Sequence, residues 1–531
     1  MRRLPLAVAA AAAVTAAAPA AAAPSIRVPM KLPSRATAAS AGATWLVGGR
    51  PTAATARIAR AAGGKHVIPG TYAVPVAAAR GLAHTLRAHR LLTYAEPNRR
   101  AHIAAVAEDP LTADNPWREA SFDPMLDPPV VTPDSPLLAL VDYKAQIDHQ
   151  EFTGDGFVGD LPGGHIVDPH GTETLGTAVA PVNGIGITGA YPGARAINVA
   201  LPKRIGCSDS AKAIKRAIGA GAAVINMSYG SASVCFAEAI ELENAIKHGI
   251  IPVAAAGNDG DRGNPAEYPA SLPHVLTAGA LTPSGRAASF SNFNGAIDLL
   301  APGVSITVPV PLQFDTHDGN QDGYEIVDGT SFAAPIVSAA AVWLRAQRGS
   351  EMTPDQSAQL LRLSSTDLGP KGYDTDTGYG ALNMAAALTG TPPAADPDEP
   401  NEDIPFIDGA ALPGGPVKPI WKGGGPVTFQ ALADYYEDPH DVYRIRVPGK
   451  RSVTVTIKPD FGNPDLYLYD GGARTIVSRR QRHLVGASTH SGTKGDRVRI
   501  RNSSRSTRTA YIDVETNRRP VLDTRYSLDV R

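Results

Sequence analysis

Asp328-Gly329-Thr330-Ser331-Phe332-Ala333-Ala334-Pro335 runs straight into Ile336-Val337-Ser338-Ala339-Ala340-Ala341-Val342-Trp343-Leu344. A glycine turn delivers a serine to the first turn of a long segment of small apolar residues. Such a segment has no polar face, so it reads as a buried helix. A hydroxyl placed there lies among free backbone N–H groups, at the positive end of the helix dipole. An oxyanion formed there is stabilised, as acyl transfer requires. By itself, Gly-Thr-Ser before a helix is also an ordinary N-cap. Chemistry therefore depends on whether the chain supplies a base, an acid to orient it and a second oxyanion donor.

Upstream of this stretch, apolar strands alternate with helices. Leu137-Leu138-Ala139-Leu140-Val141 is a buried strand ending at Asp142, and Ala196 to Leu201 is another. Val224 to Met227 and Ile250 to Ala256 are further strands, with helices over Ser208 to Ala220 and Phe236 to His248. Wholly apolar strands joined by helices predict an α/β domain, a mostly parallel sheet with helices on both faces. Function in such sheets collects at the carboxyl ends of the strands. Asp142, Ser228 and Asn258 all fall there.

The remainder divides by composition. Met1-Arg2-Arg3 and the Ala-rich run to Ala23 read as a secretory signal over residues 1–23, with an uncleaved anchor as the alternative. Ala43 to Asn98 has a βαββαβ order, the pattern of a small α+β domain. A Pro- and Asp-rich connector follows to about Ser135. Residues 391–404 form an acidic, Pro-rich stretch that reads as a solvated linker. From 405 to 531 the apolar residues recur with period two, as in Val453, Val455, Ile457 and Leu466, Leu468, predicting an all-β sandwich or barrel. That segment carries 21 Lys/Arg against 13 Asp/Glu, while the whole chain has a formal net charge of −1. The global balance points to no nucleic-acid partner and no membrane surface. Cys207 and Cys235 are the only cysteines, and in an exported chain they are expected to form a disulfide. Neither has a His or Cys at metal-binding spacing.

Four residues then line up in chain order: Asp142, His170, Asn258, Ser331. His170 opens the small-residue segment Gly171-Thr172 to Ala180, another buried helix, where it can take the Ser331 proton and return it to a leaving amine. Asp142 can hold the imidazole tautomer, and the Asn258 amide in Ala255-Ala256-Gly257-Asn258 can donate to the oxyanion. Separately these are a strand-end cap, a structural histidine and a turn; together they are a catalytic set.

The matching segments, in order, resemble the subtilisin-like serine peptidases, the subtilase family. They are Ala139-Leu140-Val141-Asp142, His170-Gly171-Thr172, Ile225-Asn226-Met227-Ser228-Tyr229-Gly230, Ala255-Ala256-Gly257-Asn258, Tyr268-Pro269-Ala270-Ser271, Ser289-Phe290-Ser291-Asn292, Ala301-Pro302-Gly303 and Gly329-Thr330-Ser331-Phe332-Ala333-Ala334-Pro335. Triad order is Asp, His, Ser. The resemblance implies a catalytic domain at 116–390, with Asp142, His170 and Ser331 as the triad and Asn258 as oxyanion donor. Ser228, Tyr229, Gly230 and Ala255, Ala256, Gly257 would be the two edges flanking an extended peptide. Tyr229 and the alanines are expected to line an apolar cleft. Residues 24–115, with a core at 43–98, would be a ferredoxin-like inhibitory propeptide cut off by the enzyme itself after Asn98 and before about Asp134. Residues 405–531 resemble the β-sandwich that follows many secreted bacterial peptidases. The implied product is a secreted, monomeric serine endopeptidase acting on proteins or peptides, with its own propeptide as inhibitor.

Two positions depart from the family pattern. Tyr143-Lys144 stands where Thr or Ser and then Gly usually follow the aspartate, which leaves the support of Asp142 unassigned. Glu173 stands where a second histidine is common, and its charge should raise the pKa of His170. No cofactor is needed for this chemistry. Asp318-Gly319-Asn320-Gln321-Asp322-Gly323 matches half of a calcium loop but has Gly329 at the twelfth position, so it reads as a hairpin turn and leaves a structural Ca²⁺ unsupported. Two other readings stand beside the endopeptidase: a non-catalytic binding protein on the same scaffold, and an esterase, which would want Gly-X-Ser-X-Gly at its serine.

Overall fold

The computed structural model describes residues 44–97, 109–112, 115, 117–123, 126–153, 158–349, 351–393, 399–411, 415–433, 439–476, 483–492, 494–516 and 524–531. The expected signal at 1–23, the arginine pairs at 479–480 and 518–519 and residues 394–398 of the acidic stretch lie outside these residues. The chain divides into two compact units near residue 105.

The first unit has the βαββαβ order: β1 (Thr44–Gly49), α1 (Ala53–Ala61), β2 (Lys65–Ile68), β3 (Thr71–Pro75), α2 (Val76–Ala88) and β4 (Leu92–Pro97). Its antiparallel sheet runs β2-β3-β1-β4. Ala59, Leu82, Ala83 and Leu86 of the helices cover Trp45, Val47, Tyr72 and Val74 of the strands.

The second unit opens with a short helix, α3 (Trp117–Ser121), and then alternates strand and helix as the apolar pattern requires. Its elements are β5 (Leu137–Asp142), β6 (Val158–Asp160), α4 (His170–Val179), β7 (Ala196–Ala200), α5 (Cys207–Gly219), β8 (Ala222–Met227), α6 (Phe236–Lys247), β9 (Ile251–Ala255), β10 (Leu276–Leu281) and β11 (Leu299–Pro302). The sheet order is β11-β10-β9-β8-β5-β7-β6, every pair parallel. Alternate residues of β5 face opposite layers. Leu138 and Leu140 pack with α4, and Ala139 and Val141 with α5 and α6. From β5 the chain first builds β6 and β7 on one side, then crosses to β8 on the other. The crevice at the carboxyl ends of β5 and β8 is thus the switch point of the sheet, where ligands bind in folds of this kind.

A hairpin of β12 (Ile306–Pro309) and β13 (Tyr324–Val327) comes next, and the Asp318–Gly323 loop is its connection. In that loop Asp318 and Asp322 accept hydrogen bonds from the backbone of Asn320 and Tyr324, the turn geometry expected of it. Then α7 (Thr330–Arg348) crosses the sheet over β8 to β11. Its alanines let the helix approach closely. From Thr330 to Leu344 every residue is buried except Ser331. Two helices, α8 (Pro354–Ser364) and α9 (Met384–Thr389), complete that layer.

Residues 399–404 are not a solvated linker. Asn401 is fully buried and accepts the Val442 N–H at 2.7 Å. Ile404 and Ile407 of α10 (Ile404–Asp408) pack under Val442, Ala473 and Tyr511. The polar, proline-rich composition hid a segment whose carboxylates are used internally. Eight strands follow: β14 (Val427–Ala433), β15 (His440–Val447), β16 (Ser452–Phe461), β17 (Pro464–Asp470), β18 (Leu484–Ser488), β19 (Asp496–Arg501), β20 (Arg508–Thr516) and β21 (Thr524–Val530). They form two antiparallel sheets, β14-β21-β16-β19 and β15-β20-β17-β18, whose inward residues share one core. Nearer the front, Asp109 and Asn115, expected with the first domain, are bonded into the second unit. Asp109 accepts the N–H groups of Asn183 and Gly184, and Asn115 pairs with the Thr307 backbone.

Candidate active site

Asp142 ends β5 and His170 begins α4, so strand and helix aim two side chains at one point. Asp142 Oδ1 lies 2.8 Å and Oδ2 3.1 Å from His170 Nδ1. The carboxylate is 4 % exposed. Its other partners are the Tyr143 N–H, at 2.7 Å from Oδ1, and the Thr174 hydroxyl, at 3.0 Å from Oδ2. These supply the support that Tyr143-Lys144 left unassigned. Thr174 lies four residues beyond His170 and so on the same helix face, a spacing that could have revealed it. The Tyr143 ring stands edge-on to the imidazole, and Lys144 pairs with Asp160.

Gly171 makes this approach feasible. A Cβ there would lie 2.0 Å from the Tyr143 carbonyl oxygen. Burial pulls the His170 pKa down, but the Asp142 charge and hydrogen bond, then Glu173 and Asp168, push it up to about 9. Glu173 is itself raised to about 7 by burial, against the favourable charge of His170.

Ser331 is the one open position on the first turns of α7. Its hydroxyl donates to the Ser228 carbonyl at 3.4 Å, and no hydrogen bond joins it to His170 among the described residues. Phe332 sets the start of α7 beside the imidazole, with ring centroids 6.0 Å apart. Ser331 thus stands at the start of the helix whose next residue packs on the His170 ring, with no hydrogen bond between the two side chains among the described residues. Pro335 lacks the N–H that would take the Ser331 carbonyl within the helix. The Ser228 hydroxyl takes its place at 2.9 Å, and Asn226 joins Ser228 to Ser338 of α7. This network locks the end of β8 to the helix that carries the serine.

Asn258 follows β9. Its Oδ1 accepts both the backbone N–H and the hydroxyl of Thr330, each at 2.9 Å. The Gly257 N–H donates in turn to the Thr330 hydroxyl. With the amide oxygen held by two donors, the amide NH₂ lies by Gly329, where an added Cβ would sit 3.7 Å from it. Thr330, fully buried, is a positioning residue that the motif contained but spacing alone did not assign.

Ser228-Tyr229-Gly230 and Ala255-Ala256-Gly257 leave the ends of β8 and β9 side by side. Tyr229 does not line an apolar cleft. Its hydroxyl donates to Glu238 at 2.8 Å and its ring packs with the α5–α6 layer. The space between the edges holds Glu267. A Cβ on Gly230 would sit 2.6 Å from Glu267 Oε2, and one on Gly257 2.6 Å from Glu267 Cγ. Gly257 also has φ 105°, so only glycine suits it. Glu267 Oε2 is buried and accepts no hydrogen bond, and burial, then the Asp259 charge, raises its pKa. The Cys207–Cys235 disulfide ties the start of α5 to the segment before α6, just beyond the first edge.

A profile of the subtilase family matches residues 131–380. Subtilisin of Bacillus pumilus is 33 % identical over 223 residues, 41 % of this chain and 76 % of that protein. Fervidolysin of Fervidobacterium pennivorans is 31 % identical over 288 residues, 48 % of this chain and 41 % of its own length. Subtilisin E of Bacillus subtilis is 34 % identical over 223 residues, 55 % of its length. This chain thus spans about half the length of most of these relatives. The fervidolysin crystal structure aligns over 86 % of both chains at 19 % identity, with a TM-score of 0.46. That of the prenylagaramide maturation protease PagA aligns over 48 % of this chain at 28 % identity, with a TM-score of 0.42.

Proposed function

The chain belongs to the subtilase family, and we propose that it is a secreted serine endopeptidase, made as a zymogen that processes itself. The observation that carries this reading is the Asp142–His170 pair beside the one open residue of α7. His170 Nε2 accepts the Ser331 proton as Oγ attacks the peptide carbonyl. Asp142 keeps Nδ1–H pointed at itself and stabilises the imidazolium. Charge on the tetrahedral oxygen is met by the Asn258 amide and the Ser331 N–H, the latter at the orphan end of α7. His170 then gives the proton to the leaving amine, and water repeats the sequence on the acyl-enzyme.

An extended peptide pairs with the backbone of Ser228–Gly230 and Ala255–Gly257. Between these edges, the unpartnered Glu267 carboxylate favours a substrate with a Lys or Arg side chain at the scissile residue. Secretion rests on the Met1–Ala23 signal, and no helix among the described residues is long and apolar enough to cross a membrane. The unit at 44–97 acts as the inhibitory propeptide. The bonds of Asp109 within the second unit favour the early part of the expected range for self-cleavage, between Asn98 and Glu108. The test is casein hydrolysis by the mature protein. Wild type should digest casein and Ser331→Ala should lose at least 10⁴-fold of that activity. Equal digestion by both would overturn the assignment.

A further inference from the structure

A second cluster of titratable side chains lies away from the triad, where the catalytic part meets the β-sandwich. Glu243 comes from α6, His274 from the turn before β10, and Glu399 and Glu402 from the stretch leading into α10. His274 Nε2 is 3.0 Å from Glu399 Oε2 and 2.8 Å from Glu402 Oε1. One ligand atom each from Glu243, His274 and Glu402 falls within 4.8 Å of the others. All four are nearly out of solvent. Glu243 is 5 % exposed, and the side chains of His274, Glu399 and Glu402 are 13 %, 8 % and 11 % exposed.

The charges do not balance. Were all three carboxyls ionised, one protonated imidazole would leave two negative charges in excess. The fields of Asp355 and Asp441 reach Glu399 and add to the excess. The nearby cation, Arg362, pairs with Asp298 and acts on Asp355. Glu243 Oε2 and Glu402 Oε2 are buried with no donor on them, and the two carboxyls lie within hydrogen-bond reach of each other. Buried carboxyls in this state either share protons or hold a cation, and the imidazole among them favours the cation. The donor set says which kind. Ca²⁺ and Mg²⁺ take oxygen ligands, whereas an imidazole nitrogen with carboxylates suits Zn²⁺. Zinc bonds of about 2.0–2.2 Å place tetrahedral ligand atoms roughly 3.4 Å apart. The separations from His274 Nε2, 2.8 and 3.0 Å, fall slightly inside that spacing, so the ligands must open by about half an ångström to take the ion.

We propose that Glu243, His274, Glu399 and Glu402 bind one Zn²⁺. Four protein ligands make a closed, structural site. The ion pins the start of the sandwich to α6 and to the turn before β10. It plays no part in the proposed proteolysis, and the site is independent of that reading.

The test uses the full chain as Ser331→Ala, without an affinity tag of histidines, so that self-digestion does not interfere. Elemental analysis should find about one zinc per chain. Removal with dipicolinate should lower Tm, and Zn²⁺ should restore it where Ca²⁺ and Mg²⁺ do not. Glu243→Gln and Glu402→Gln should lose the zinc, and with it the response of Tm to the chelator. Should either variant fail to fold, Co²⁺ loaded into the Ser331→Ala chain should give the visible bands of a four-coordinate site. A folded chain that neither retains nor takes up Zn²⁺, with Tm indifferent to chelator, overturns the proposal and leaves an imidazolium held by two carboxylates. Zinc retained equally in both Gln variants overturns it too, since the ion would then lie elsewhere.

Discussion

His170 carries the pH behaviour of the site. Burial opposes its charged form, but Asp142, Glu173 and Asp168 favour it more, and the pKa rises to about 9. Catalysis needs the neutral imidazole, so kcat/KM should climb with pH up to the region of 9 rather than level off near 7. Replacing Glu173 by Gln removes one charge that favours imidazolium. The acidic limb should then move to lower pH by on the order of one pH unit, making the variant the faster enzyme at neutral pH. An unmoved limb would exclude Glu173 from this role. Thr174→Val keeps the shape but removes the hydroxyl on Asp142 Oδ2, and should lower kcat/KM about tenfold. For Glu267, burial raises the carboxyl pKa, so the preference for a Lys over a Phe substrate should grow as pH rises and disappear in Glu267→Gln. Paired chromogenic peptides read this directly; a variant that keeps the preference would remove Glu267 from it. Asp142, His170, Asn258 and Ser331 can be proposed from sequence because each stands in a motif. Glu267 is not assigned by sequence because what it touches depends on segments brought together from far along the chain, whereas Thr174 and Thr330 stand within reach of the motifs but carry no chemistry of their own.

At the level of elements, the strongest coupling is between β8 and α7. Pro335 deprives the Ser331 carbonyl of its helical donor and Ser228 supplies another. Ser228→Ala should therefore cost about 1–2 kcal/mol in denaturant unfolding of the inactive Ser331→Ala chain. In a Pro335→Ala background, where the helix can satisfy that carbonyl itself, the same change should cost less. A double-mutant cycle with no interaction term would contradict the account. The helices and central strands were readable from apolar runs and their spacing, with ends shifted by a residue or two. β14 and β18 alternate but are only partly buried along most of their length, so few of their positions need to be apolar. Residues 399–404 were misread for the opposite reason: their acidic residues are buried, and composition alone does not distinguish a solvated carboxylate from an enclosed one.

Across the whole molecule, the chain combines a small α+β unit, a parallel sheet with helices on both faces and a β-sandwich. That architecture followed from the changes of apolar period along the sequence. The place where the first unit ends did not, because proline and aspartate marked the whole connector and only the bonds of Asp109 and Asn115 distinguish its later part. Wild-type protein should shed an N-terminal piece ending between Asn98 and Glu108, and Ser331→Ala should keep it, as intact mass would record. The central claim is that Ser331 is an activated nucleophile, and reaction of the mature protein with a fluorophosphonate, followed by peptide mapping, tests it most directly. The account predicts one adduct, on Ser331, that fails to form when His170 is replaced by Ala. A folded protein that takes up no phosphonate, or takes it up at another residue, would contradict the account and leave a subtilase scaffold without the chemistry.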